Sequence, residues 1–167
     1  EDSADNIWSQ IGSPLGPTPV GSYSVRGAMY VCEDCIGSAA LVVTATRNGE
    51  YPSIAYQEFK GSDLSFGDVA SGPLDPTSPF ASTSVTPTTD GAAVFSGFVH
   101  NAGANASTAV SAPMTVVEEV IDVGAYYPLS LGVGVQATAD AIAGSWTSGG
   151  APGTGLVWTG FVQQVAS

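Results

Sequence analysis

Apolar and polar residues alternate with a period of two along almost the whole chain, and no segment carries an apolar stripe at the 3.6-residue helical spacing. That alternation is what a strand needs to put one face on a core and the other in water. It runs through residues 22–31, 39–46, 53–59, 81–86, 92–99, 114–121, 129–137, 142–146 and 156–165. Breakers separate these stretches. Residues 32–37 read as the hairpin connection between the first two, Asn48-Gly49 is a two-residue turn signal, and residues 87–91 form another turn. Residues 60–79 hold Gly61, Gly67, Gly72, Pro73, Pro76 and Pro79 and read as a long loop, as does the small-residue stretch 100–112. Nine to ten short strands at regular spacing predict an all-β, antiparallel β-sandwich with a jelly-roll or Greek-key winding. No linker or fixed-period repeat divides residues 1–167, so a single domain is expected.

Charge then narrows the partners. The chain has 3 basic and 15 acidic residues among 167, a formal net charge of −12. Three scattered cations cannot make the Lys/Arg footprint that phosphate backbones require, which argues against nucleic acid. The same balance argues against anionic membrane surfaces, and no apolar run reaches the length of a membrane span, so no membrane insertion is expected. Charged residues make up only 11%, and uncharged Ser, Thr, Gly and Ala take over the surface, a composition that fits an extracellular location. The start at Glu1 reads as a processed or trimmed product.

Few residues invite chemistry. Cys32 and Cys35 lie in Cys-Glu-Asp-Cys, which in a secreted chain reads as a local disulfide clamping a turn. A redox role would want a helix after the second cysteine, and zinc would want two more soft ligands; neither is there. Glu118 and Glu119 are neighbours, so in a strand they point to opposite faces and cannot serve one acid–base site. His100 is the one histidine, at a strand end, with no Gly-x-Ser-x-Gly elbow in the chain. The chain is therefore expected not to be an enzyme, with a hydrolase the least favoured reading. No cofactor is expected. Asp63, Asp68 and Asp75 in the 60–79 loop are candidates for calcium, though the spacing is not that of an EF-hand. Asp2, Asp5 and Asn6 read as turn formers. Trp158 alternates with Leu156 and Gly160 and reads as a core residue, whereas Tyr126 and Tyr127, before Pro128, read as exposed and open to a carbohydrate. Asn105-Ala-Ser107 matches a glycosylation sequon.

The order of these signals resembles a family of jelly-roll β-sandwich modules found in bacterial surface and exported proteins and in phage structural proteins. The residues that carry it are Asp2-Ser-Ala-Asp-Asn-Ile-Trp8, Met29-Tyr30, Leu41-Val-Val-Thr44, Gln57-Glu-Phe-Lys-Gly61 and Pro73-Leu-Asp75. Further on they are Ser84-Val-Thr-Pro-Thr-Thr-Asp-Gly91 with residues 92–99, then Trp146 and Trp158-Thr-Gly-Phe-Val162. The resemblance implies a non-catalytic building-block or adhesion role and carries no active site. In that family one or two strands precede the Asp-Ser-x-x-Asn segment, whereas this chain opens with it. A sandwich lacking its opening strand leaves a ladder edge unpaired, which invites strand addition from a neighbour.

Residues 1–20 are the natural donor, as an extended arm with anchors Ile7, Trp8, Ile11 and Leu15 kept from helix by Pro14, Pro17 and Pro19; the alternative is that they fold back as an edge strand. The expectation is an extracellular, non-catalytic structural module that self-assembles with copies of itself into a surface filament, layer or virion appendage. The rival expectation is a carbohydrate-binding or adhesion module.

Overall fold

The computed structural model describes residues 3–20, 23–37, 42–44, 53–61, 63–72, 79–100, 108–120, 128–149 and 155–165. No helix occurs among them, and ten strands do: β1 (Ser9–Val20), β2 (Tyr23–Val31), β3 (Leu64–Ser71), β4 (Phe80–Ala81), β5 (Ala92–His100), β6 (Thr108–Val110), β7 (Thr115–Val120), β8 (Leu129–Gln136), β9 (Ser145–Ser148) and β10 (Gly155–Gln164). Their ladders are all antiparallel.

Strands β3 to β10 build two sheets, ordered β3-β10-β5-β8-β7 and β4-β9-β6. The order is that of one long hairpin rolled over on itself. β3 pairs with β10, β4 with β9 and β5 with β8, while the roll also sets β10 beside β5 and β9 beside β6. This is jelly-roll winding, with β7 remaining on the edge of the larger sheet. Side-chain bonds close both corners. Thr83 donates its N–H and hydroxyl to the Ser71 carbonyl at the β3–β4 crossing (3.2 and 3.0 Å). Thr108 of β6 donates its N–H and hydroxyl to the Glu119 carboxylate of β7 (3.0 and 2.5 Å).

The larger sheet is covered on both faces. Its inner face meets the small sheet through Val94, Phe161, Met114, Val85 and Ile142, and through Phe98, Val157, Phe80 and Trp146. Its outer face carries Leu129, Leu156 and Trp158, over which Met29 of β2 and Ala55 are packed. The β1–β2 hairpin is thus a third layer. Two-sided cover explains why β10 is buried at every residue from Gly155 to Val162 instead of alternating. Trp158 lies on the outer face with Leu156, and Val157 and Phe161 on the inner, as the alternation predicts. The indole of Trp158 lies across Gly97 on the neighbouring strand, where a Cβ would come within 2.2 Å of the ring. Only glycine admits that aromatic.

Several expectations need correction. Residues 53–59 run over the outer face without strand pairing, with Phe59 against Phe95 at 5.9 Å. Strand β3 lies inside the expected 60–79 loop and β6 inside the expected 100–112 loop. Stretch 39–46 falls mostly outside the described residues, and the 81–86 stretch contributes β4 and a single bridge from Val85 to Ile142. Among the described residues β3 to β10 form both sheets without a strand from residues 1–20, with β7 beside β8 and not beside β6. Residues 9–20 pair with β2 of their own chain, Ser9 opposite Val31 through Val20 opposite Tyr23, with register shifts around the proline-bearing middle. Residues 9–20 thus fold back within the chain, but into a separate two-stranded sheet with β2 and not as an edge strand of either sandwich sheet. A ladder in the same chain forms without the translational and rotational cost of capturing a second molecule.

Candidate functional site

Hydroxyl chemistry in the core is turned inward. Ser96, Thr159 and Trp146 are each fully buried, and Ser82 nearly so. The Trp146 indole N–H donates to Ser96 Oγ (2.9 Å), and Ser96 donates to the Trp158 carbonyl (2.7 Å). Ser82 Oγ donates to Thr159 Oγ1 (2.8 Å), which donates on to Ser96 Oγ (3.2 Å). The Gly144 N–H points at Thr159 Oγ1 (2.8 Å), at a place where a Cβ would meet Ser96 Oγ at 2.1 Å. Buried hydroxyls are tolerated because each is bonded, and here they knit the two sheets together.

Among the described residues the acidic and imidazole groups stand apart. Glu118 Oε2 accepts from the Tyr56 N–H on the outer side (3.4 Å), while Glu119 accepts from Thr108 on the inner side. The pair therefore splits across the sheet as strand geometry requires. His100 ends β5 at 1% exposure, stacked on Phe98 at 4.7 Å. Burial lowers its pKa to about 4, and the Glu119 carboxylate pulls weakly the other way. Asp63, at φ +53°, precedes β3 and its carbonyl accepts the Val165 N–H; Asp68 is exposed within β3, and Asp75 lies outside the described residues. Among the described residues no three His, Cys, Asp or Glu side chains are grouped to hold a metal ion.

The anchors of the expected assembly arm go separate ways. Ile7 is 83% exposed, and Trp8 sets its ring edge-on to Tyr56 at 6.4 Å. Ile11 lines an open slot of about 190 Å³ between the hairpin and the larger sheet, with Met29, Val69 and Trp158. Leu15 stands opposite Gly27 in the ladder. Tyr126 and Tyr127, the expected glycan contacts, and Asn105 lie outside the described residues.

Of the most elaborate surface construction, only the disulfide was visible in the sequence. Cys32 and Cys35 form a disulfide, with Cα atoms 5.6 Å apart, directly after β2. Asn6 reaches across 30 residues, donating from Nδ2 to the Ile36 carbonyl (3.1 Å) and accepting the Ile36 N–H at Oδ1 (2.8 Å). Ser3 does the same to Val42, its N–H donating to the Val42 carbonyl (3.0 Å) and its Oγ accepting the Val42 N–H (3.1 Å). Asn6 was expected to bond its own backbone in a turn. Its amide acts like a strand partner for Ile36, while Ser3 and Ala4 form a turn, Asp5 has φ +58°, and Asp2 lies outside the described residues. The N-terminal segment is thereby stapled to the segment after the disulfide.

Compared with known proteins, the chain matches no family model, no curated protein and no solved structure.

Proposed function

We propose that the chain is a non-catalytic structural module of an extracellular assembly, a surface filament, layer or virion appendage, in which copies of it join. The observation that carries this reading is the edge of the larger sheet. Among the described residues β7 pairs only with β8, so its outer row of backbone groups has no strand partner among them. Beside that edge Val117, at the bulge in β7, and Val135, near the end of β8, are 51% and 61% exposed. An open ladder next to bare aliphatics is a template for another strand. The inward-turned hydroxyls and the separated acids support a role without catalysis.

The sandwich closes by its own strands, so joining is through this edge and not through donation of residues 1–20. Sedimentation velocity across a concentration series is the test. Self-association that strengthens with salt, as screening relieves the repulsion of like-charged copies, and that is lost in Val117→Lys with Val135→Lys, is the expected result. A chain that stays monomeric at every concentration and salt refutes the reading.

A further inference from the structure

The end of the molecule bearing the N-terminal staple presents a second surface, distinct from the β7 edge. Ile7, Ile36 and Val42 are 83%, 68% and 60% exposed there. Single exposed aliphatics are ordinary on any protein. These three are not scattered, because the four hydrogen bonds from Ser3 and Asn6 hold residues 3–7 against Ile36 and Val42. The disulfide fixes the turn that leads into Ile36. The same four bonds fix the backbone that carries these exposed aliphatics.

Around them stand carboxylates. Asp5, Glu33 and Asp34 are all exposed, the first adjoining Asn6 and the other two inside the disulfide ring. Glu58 comes in beside Gly37, whose absent Cβ would sit 3.7 Å from its Oε1. Among the described residues the cation paired with these acids is Lys60, 3.6 Å from Glu58 and itself 82% exposed. An apolar centre with a charged rim is the layout of a protein–protein docking surface, and the sign of the rim selects the partner. A second copy meets this end with its own net charge of −12, so like faces like. A nucleic acid or an anionic lipid surface is repelled for the same reason.

We propose that the stapled end formed by Ile7, Ile36 and Val42, rimmed by Asp5, Glu33 and Asp34, docks a different protein whose contact face is basic with an apolar centre. This goes beyond the joining of copies and uses another surface, so either contact can fail while the other stands.

The probe is a short synthetic peptide alternating leucine and lysine, titrated into the full chain by calorimetry. Binding is expected, weakening about tenfold between about 50 and about 300 mM NaCl, opposite in sign to the salt response of the β7 edge. Ile7→Ser with Ile36→Ser should weaken it at least about tenfold, while Val135→Ser leaves it within about twofold. Circular dichroism checks that the variants fold. Should the double variant unfold, the amide shifts of the labelled wild-type chain decide: movement at residues 5–7, 33–36 and 42 supports the proposal, and movement elsewhere overturns it. Equal binding by a folded double variant would mean attraction by net charge alone and overturns it. So does no binding at all, or a dimer of the chain that strengthens with salt and moves those same amides.

Discussion

Removing one oxygen atom, in Ser96→Ala, tests whether the hydroxyl knot is what joins the sheets. Ser96 Oγ is the acceptor of the Trp146 indole N–H at 2.9 Å and the donor to the Trp158 carbonyl at 2.7 Å, with all three residues buried. Without it the indole N–H has lost its acceptor in a site packed on all sides. The space of a single oxygen atom is too small to admit a water in its place. An unsatisfied buried donor costs about 1–3 kcal/mol, and the lost bond to the carbonyl about 0.5–1.5 kcal/mol more. The expected loss is about 2–4 kcal/mol, a large share of the roughly 5–15 kcal/mol that holds a domain folded. Thr159 loses the acceptor of its own hydroxyl as well, while its Oγ1 still accepts from Ser82 Oγ and the Gly144 N–H. The assay is urea unfolding at neutral pH, followed by circular dichroism, on wild type, Ser96→Ala, Trp146→Phe and the double variant. Trp146→Phe removes the donor along with ring volume, so adding Ser96→Ala to it should cost at least about 1 kcal/mol less than adding it to wild type. A Ser96→Ala chain within about 0.5 kcal/mol of wild type at unchanged m-value, or strictly additive variants, would refute the reasoning.

Acidification should destabilise the fold through His100. Its folded pKa of about 4 lies below the unfolded 6.5, so the unfolded chain binds the proton first; the contribution is intact above pH 6.5 and lost as pH falls toward 4. The loss is about 3 kcal/mol at the acid end, and His100→Phe should flatten that part of the pH–stability curve; an unchanged slope in the variant contradicts the assignment. Gly97→Ala should be severely destabilising because its Cβ would collide with the Trp158 ring. Gly91→Ala, at φ +77° with nothing within 4 Å, should cost only about 1 kcal/mol; similar thermal melts for the two would count against the packing account. Cys32→Ala with Cys35→Ala should cost only about 2 kcal/mol, as the closed ring is four residues, and mass spectrometry of unreduced wild type should find no free thiol.

What the amino-acid sequence settled by itself was local and periodic. Alternation marks β2, β5, β7, β8 and β10 close to their observed bounds, since a strand of β-branched and aromatic residues satisfies its own pattern whichever neighbour it pairs with. The spacing of Cys32 and Cys35 dictates that their bridge be local, and adjacency sends Glu118 and Glu119 to opposite faces. Composition alone set the expectation against a nucleic-acid partner. The rest waited on contacts between distant residues. Gly67 looks like a loop breaker until Phe161, some ninety positions on, is seen to lie where its Cβ would be; then it is a strand glycine in β3. Residues 53–59 alternate like a strand, yet they lie across the outer face and are held there by side-chain contacts, the Tyr56 N–H on the Glu118 carboxylate and Phe59 against Phe95, and not by a ladder. Asn6 carries no sign that its partner is Ile36, nor Ser96 that its partner is Trp146. A hydrogen-bonding side chain advertises only its capacity to bond, and the roll of the chain decides what stands within reach.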